Sequence, residues 1–507
     1  MKHLIAVLLA VVLCLCSIGT AAADGIDVKV KGTWDFAFGY TRKDFQKSAN
    51  GGFDRNYKGS KGGYRNPVGR DFMARQRVRT QIDFIASENL SAVLMFEIGD
   101  IRWGNKEDGG ALDTDGINVE TKRAYLDWII PHTEIAVRMG LQGLYLPSGR
   151  MGNPVFTGDV AAVTVSAPIT DWLSAVVFWA RPFDAYNNDE EDFGIDSLDD
   201  ETDMFGILLP MSFADWGLSF TPWYVYSLVG NASGFYNYVF NGEYDNTLTA
   251  KNSGTKAWWV GANLGFTLFE PLEFNMDVMY GRLNRTDAQP VLNPEFGIGS
   301  NMMASGWYIG ATLDYHLDCM SPGIFGWYAS GDTVSGVNGN RIGRMPVVAH
   351  DDGFMATTFG MNGYYSIGNG DNSPAVVGTG TGTWGVGIQL ADITFIEDLS
   401  HTLRFAYYKG TNEAEILAGD INGMAANYAS SSGYFKYASD TLYLTDKEEV
   451  FEINFDHQYK IYDNLTAVLE LGYIYLKSDR ATWAVQGSDL KSNDDAWKAE
   501  IAFRYSF

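Results

Sequence analysis

Three arginines occupy every second position of one segment, Arg75, Arg77 and Arg79, and uncharged residues separate them. Successive side chains of a β-strand point to opposite faces, so this spacing puts three guanidinium groups on one face. By the same alternation Arg123 and Arg138 belong to the charged faces of later segments. Such a row can attract and orient small anions. The simpler interpretation is that the arginines only keep one face solvated.

An acidic run offers a second kind of chemistry. The stretch 187–203 contains nine carboxylates and no Lys or Arg, and the densest positions are Asp189, Glu190, Glu191, Asp192, Asp199 and Asp200. Hard oxygen ligands of this kind suit Ca²⁺, and a run of like charges repels itself unless cations neutralise it. A calcium site in this loop is therefore one hypothesis. A solvated acidic loop without bound metal is the other.

Enzyme chemistry finds no support in the sequence. The histidines and the cysteine Cys319 are scattered, and neither a nucleophile elbow, a Walker loop nor a zinc-binding spacing occurs. We therefore expect a protein that is not an enzyme and that requires no cofactor.

The elements that must position these residues are β-strands. Val28, Val30, Trp34 and Phe36 share one parity of the first segment, whereas Lys29, Lys31 and Asp35 share the other. The pattern recurs in segments of roughly ten residues, which is the length a tilted strand needs to cross a bilayer. We predict an all-β fold, a closed antiparallel transmembrane β-barrel of about 18 strands, with 16 as the alternative. A soluble antiparallel sandwich would also alternate, but it would have to bury every apolar face.

The connections between the segments differ in length. Short ones lie at 87–89, 131–133, 214–216, 269–271 and 462–464. Long, polar, glycine-rich ones lie near 41–70, 104–118, 182–203, 228–254, 282–304, 331–382, 411–447 and 478–494. Short turns at one rim and long loops at the other are typical of bacterial outer-membrane barrels.

Composition and the N-terminal residues indicate export. Lys2, the apolar run Leu4 to Cys16 and the small residues Ala21 to Ala23 have the pattern of a cleaved signal peptide, so we expect residues 1–23 to be removed and 24–507 to form the barrel. Only Cys319 then remains, which excludes an intramolecular disulfide. The net charge of −25 argues against nucleic acid as a partner.

The C-terminal segment resembles the insertion signal of bacterial outer-membrane proteins. Trp497, Ala499, Ile501, Phe503 and Tyr505 alternate with mostly polar residues and the chain ends in Phe507. In that class the barrel-assembly machinery reads the signal. The resemblance implies the outer membrane of a Gram-negative bacterium, where lipid and lipopolysaccharide would surround the protein.

The segment Pro154-Val-Phe156-Thr-Gly-Asp159 resembles the Pro-Glu-Phe-Gly-Gly-Asp signature of the general trimeric porins, with four of six positions matching. In that family this loop folds into the barrel and narrows it, which implies a constriction formed by Pro154, Phe156 and Asp159 opposite the arginines. Val155 replaces the family's Glu and puts the usual cation preference in doubt. The whole chain is also similar to the homotrimeric porins of sulfate-reducing bacteria, which implies a homotrimer.

These patterns together predict an outer-membrane porin. We expect a water-filled channel for passive diffusion of small hydrophilic solutes and ions, with a constriction that favours small anions because of the arginines or is only weakly selective. The alternative is a blocked barrel that serves as a structural anchor or adhesin of the cell envelope.

Overall fold

The computed structural model describes residues 25–43, 70–106, 109–113, 119–184, 201–230, 255–285, 302–338, 341–350, 382–418, 444–477, 479 and 493–507. The predicted signal peptide 1–23 and positions 187–200 of the acidic run lie outside these residues. No helix in the described part of the chain is long and apolar enough to cross a membrane. The two α-helices described, α1 (Val334–Asn338) and α2 (Glu415–Ala418), are short.

Within the described residues, twenty-one strands form one sheet. In chain order they are β1 (Asp27–Lys43), β2 (Arg70–Ser87), β3 (Leu90–Arg102), β4 (Val119–Ile129), β5 (Ala136–Tyr145), β6 (Phe156–Thr170), β7 (Leu173–Phe183), β8 (Thr202–Leu208), β9 (Met211–Phe213), β10 (Leu218–Val229), β11 (Thr255–Phe266), β12 (Leu272–Arg285), β13 (Met302–Tyr315), β14 (Ser321–Ala329), β15 (Arg341–Ile342), β16 (Ala349–His350), β17 (Thr383–Ile396), β18 (Leu399–Gly410), β19 (Glu449–Tyr462), β20 (Leu465–Lys477) and β21 (Asn493–Ser506).

The barrel wall consists of eighteen strands. β8 and β9 are two parts of one wall strand, interrupted near Pro210, and both pair with β10. β15 and β16 are two-residue strands inside a long loop. Each wall strand is antiparallel to its neighbours, and β1 pairs with both β2 and β21, which closes the barrel. The prediction of a closed barrel with 18 strands is confirmed, and the alternative of 16 is wrong.

The outer face of the wall is apolar and exposed. Val30 on β1, Ile388 on β17 and Ile324 on β14 keep 56%, 54% and 55% of their surfaces accessible. Soluble monomers rarely expose apolar surface of this extent, whereas the lipid-facing band of a membrane barrel does. The soluble sandwich is therefore excluded, because it would bury these faces. Outer-membrane proteins have this architecture, with the short turns at one rim.

Aromatic rings inside the barrel lie against glycines of the neighbouring strand. A Cβ on Gly261 would meet the ring of Trp223 at 2.4 Å, and one on Gly281 would meet Trp259 at 2.4 Å. Any larger residue would expel these rings, so the glycines are required by close approach. Trp223, Trp259, Tyr308 and Trp327 belong to one buried apolar cluster. It lies mainly along β5 to β14 and continues to Tyr408 on β18, Val450 on β19 and Ile474 on β20.

Candidate functional site

A hairpin leaves the wall and enters the lumen. β4 pairs with β5 only as far as Ala124 opposite Leu141, and beyond this point the tips of β5 and β6 separate from β4. Gly140 has φ +126°, and a Cβ there would meet the Ala124 carbonyl oxygen at 2.3 Å, so this bend requires glycine. The loop 146–155 continues the hairpin inward, which confirms the expected lumenal loop.

Asp159 fixes the base of this hairpin to the wall. Its carboxylate accepts from Arg123 Nε at 2.7 Å and lies 2.8 Å from Lys122 Nζ. Arg123 also donates to the Tyr145 hydroxyl at 2.8 Å. β4 has an irregularity in its register with β3 here, so two consecutive basic residues, Lys122 and Arg123, reach the same carboxylate.

The tip of the hairpin is anchored on the opposite wall. The Gly149 N–H lies 2.9 Å from each carboxylate oxygen of Asp277 on β12, and Asn263 donates to the same carboxylate at 2.8 Å. Arg150 lies 3.4 Å from Glu273 and 3.3 Å from Asp314. Because Glu273 is the second residue of β12, directly after a short turn, the tip reaches deep toward the short-turn rim.

A second segment, 341–350, packs against the hairpin inside the barrel. The Val348 N–H donates to the Val155 carbonyl at 2.8 Å, and β16 runs parallel to the start of β6. Trp259 Nε1 donates to the Pro346 carbonyl at 2.8 Å. A buried ion pair of 2.8 Å between Arg344 and Asp332 holds the base of this segment. The two loops and the apolar cluster together form a plug, most of which lies beside β6 to β14.

The arc of wall from β18 through β21 and β1 to β5 carries ion pairs between neighbouring strands, and Tyr408, Val450 and Ile474 on this arc belong to the apolar cluster. Asp35 on β1 binds Arg504 of β21 and lies 4.0 Å from Arg77 of β2. Glu470 on β20 lies 2.6 Å from Lys498 on β21. A charge buried without a partner costs several kcal/mol, so the wall supplies an opposite charge from the next strand.

The predicted site residues divide between the arc and the plug. Arg75, Arg77 and Arg79 share the inward parity of β2, and Arg79 binds Glu97 of β3. Arg138 makes two hydrogen bonds to Asp127, at 2.7 and 2.9 Å, and its guanidinium lies 4.4 Å from the centre of the Tyr125 ring. Arg123 and Asp159, expected on opposite sides of a constriction, bind each other directly.

Two further members of the predicted constriction lie in the plug. Phe156 keeps 2% of its surface accessible and Pro154 is likewise buried, because the second segment covers both. The acidic residues Asp189, Glu190, Glu191, Asp192, Asp199 and Asp200 lie outside the described residues, so calcium there stays a prediction. Elsewhere in the described part of the chain, no three His, Cys, Asp or Glu side chains are grouped as a metal site.

Sequence reasoning missed the residues that anchor the hairpin tip. Glu273 and Asp277 alternate along β12 with the apolar residues Phe274, Met276 and Val278. This alternation by itself predicts that both carboxylates point inward. Their partners Gly149 and Arg150 lie more than a hundred residues away, and no local signal connects them. The second inward segment carries no motif that predicts its position.

No family model matches the sequence, and no curated protein matches it. Solved structures are similar over nearly their whole length. The outer membrane protein OprD of Pseudomonas aeruginosa is 10% identical, with 96% of each chain covered and a TM-score of 0.49. OpdK of the same organism is 8% identical, covering 94% of this chain and 99% of that one, with a TM-score of 0.49. OccAB4 of Acinetobacter baumannii is 10% identical, covering 94% and 98%, with a TM-score of 0.47.

We expect the double variant Asp277→Ala/Arg150→Ala to release the hairpin tip. Gly149 loses its buried acceptor, which costs about 1–3 kcal/mol, while the wall pairing stays intact. The barrel should fold, with a lower free energy of unfolding in urea. Protease cleavage after Tyr145 or nearby should become faster. The control Asp463→Ala removes an exposed carboxylate of a short turn, and its cleavage should match wild type. Equal protection of both variants would contradict the anchoring role.

Proposed function

We propose that this protein is a porin of the Gram-negative outer membrane, a water-filled channel through which small hydrophilic solutes and ions diffuse passively. The observation that carries the proposal is the arc of inter-strand ion pairs that faces the lumen beside the plug. Charged side chains line one side of the interior from β18 through β21 and β1 to β5. Such a surface favours water and ions and rejects apolar solutes.

A blocked barrel that anchors or adheres is the second candidate. The observation in its favour is the plug itself, because two loops and the rings of Trp259, Tyr308 and Tyr408 fill part of the lumen at or near zero exposure. The solvent accessibility of charged side chains on the arc argues against complete blockage of the lumen. Arg138 and Asp127 keep 41% and 33% of their side chains accessible, and Lys31 keeps 58%.

Planar bilayer recordings separate the two candidates. We expect purified, refolded protein to give stepwise conductance increases that scale with salt concentration, because ions pass along the arc. The double variant Asp277→Ala/Arg150→Ala should give larger or noisier steps, since the tip no longer holds its position. Silent insertion, verified by protection of reconstituted protein from added protease, would favour the anchor.

A preference for anions is the finer part of the proposal. It is supported by the inward row Arg75, Arg77 and Arg79 and by the inward Arg138. Carboxylates of neighbouring strands offset much of this charge, as Glu97 does for Arg79. We therefore propose a small excess of positive potential along the path and not a strong anion filter.

Reversal potentials across a salt gradient test this preference. The wild type should be weakly anion-selective, and Arg79→Gln/Arg138→Gln should shift the reversal potential toward cations. The matched pair Glu97→Gln/Asp127→Asn removes the carboxylate partners of the same two arginines and should shift it toward anions. Cation selectivity of the wild type would overturn the anion preference and leave the channel itself intact.

We also propose a homotrimer that assembles through the outer face of β1 and β21. Phe36 and Phe503 are direct neighbours across this strand pair, and Trp34, with 46% of its surface accessible, lies beside Tyr505. Unheated protein should migrate as a trimer on a denaturing gel and as a monomer after boiling. Trp34→Ser/Phe503→Ser should weaken the trimer, whereas Ile324→Ser/Ile388→Ser on a distant face should not. Monomeric migration of unheated wild type, with its barrel intact by circular dichroism, would contradict the proposal.

A further inference from the structure

Two histidines meet on the outer face of the barrel. His401 is the third residue of β18, and the strand register places it directly opposite His457 of β19. Phe405 and Phe455 share the parity of these histidines and are 42% and 38% exposed, so this is the lipid-facing side. β18 begins after the short turn 397–398 and β19 ends before the short turn 463–464, so the pair lies close to the short-turn rim.

The two imidazole rings approach each other through their Nδ1 atoms. His401 Nδ1 and His457 Nδ1 are 2.6 Å apart, and the ring centroids are 4.8 Å apart with an interplanar angle of 84°. This distance suits a hydrogen bond in which the Nδ1–H of one neutral ring donates to the Nδ1 lone pair of the other, because a neutral imidazole has one donor and one acceptor nitrogen.

The surroundings of the pair are apolar. Phe455 packs against both rings, with centroid distances of 6.0 Å to His401 and 4.2 Å to His457. On the flanking strands, Ile393 is in register with His401 and Leu469 with His457. The charged pair at the adjacent rim, Lys460 and Asp463, is bound to itself at 2.8 Å.

Polar rings on a lipid-facing surface call for a physical reason. A hydrogen-bonding group in an apolar setting costs free energy unless it has a partner, and an aromatic or aliphatic residue would satisfy these positions better. Two imidazoles on adjacent antiparallel strands, with nitrogens converging, are also the donor set that borderline transition-metal ions prefer. Metal–nitrogen bonds of about 2.0–2.1 Å place two ligating nitrogens roughly 2.9–3.4 Å apart, so the two Nδ1 atoms need to separate by less than about 1 Å from their 2.6 Å distance.

We propose that His401 and His457 form a binding site for one transition-metal dication on the outer face of the barrel, at the membrane interface of the short-turn rim. Cu²⁺ should bind most tightly, with Ni²⁺ and Zn²⁺ weaker. Both Nδ1 atoms ligate. The proton that they share moves to the Nε2 of the same ring, so a neutral pair releases no proton. Water or lipid phosphate oxygens complete the coordination. This site is independent of conduction through the lumen.

Copper binding to tag-free, refolded barrel in uncharged detergent tests the site. Equilibrium dialysis should give one tightly bound Cu²⁺ per chain, and its electron paramagnetic resonance spectrum should show coupling to two nitrogens. A hundredfold excess of Ca²⁺ or Mg²⁺ should not displace it, because these ions prefer oxygen ligands. Lowering the pH below the ordinary imidazole pKa of about 6.5 should release it.

Single variants assign the ligands. His401→Phe and His457→Phe suit a lipid-facing position, and each should weaken Cu²⁺ binding at least ~10-fold. The controls His132→Asn and His316→Gln change histidines elsewhere and should bind like wild type. Heat-modifiable gel migration establishes folding of each variant. Copper bound equally by all four variants, or a wild-type spectrum without two nitrogen ligands, would overturn the proposal, and the spectrum decides the matter even if a phenylalanine variant fails to fold.

Discussion

A β-sheet that crosses a bilayer finds no water to satisfy an unpaired edge, and each backbone group left without a partner there costs several kcal/mol. The pairing of β1 with β21 satisfies this constraint, and the rest of the structure depends on that pairing. Closure removes both edges and fixes every wall strand between two neighbours. It also fixes which residues look outward, since a shift of one residue would exchange the lipid-facing and lumenal faces of a strand.

Closing 18 strands creates an interior too wide for the wall side chains alone to fill. The protein fills part of it with the hairpin tip 146–155 and the segment 341–350, which pack on each other through the Val348 to Val155 hydrogen bond. Lumenal glycines such as Gly261 and Gly281 let tryptophan rings lie flat against the wall. Burial of these rings and of the loop side chains stabilises the plug. Ion pairs between neighbouring wall strands line the arc from β18 through β21 and β1 to β5.

Charges on that arc are arranged so that a charged residue of one strand lies beside an opposite charge on the next strand. Asp35 lies between Arg504 and Arg77, and Glu97 lies between Arg79 and Lys122. A buried charge without a partner has a high desolvation free energy. Neighbouring strands of an antiparallel sheet already hold their side chains close together, so no further backbone has to be ordered to supply the opposite charge. The same adjacency brings His401 and His457 together on the other face. The wall therefore carries paired polar side chains on both faces, ion pairs on the lumenal face and the two histidines on the lipid-facing one.

The sequence by itself determined the strands, their parity and the short turns, because alternation has a period of two and is complete within each segment. It therefore predicted the inward direction of Arg75, Arg77 and Arg79, and the Pro154 to Asp159 motif indicated an inward loop. Only the tertiary structure decided the partners. Asp159 binds Arg123 because β4 is irregular there, and Arg150 reaches Glu273 and Asp314 because closure brings β12 and β13 opposite the hairpin. A lumen-spanning contact depends on barrel diameter, strand register and loop path together, and none of these is encoded in a local pattern.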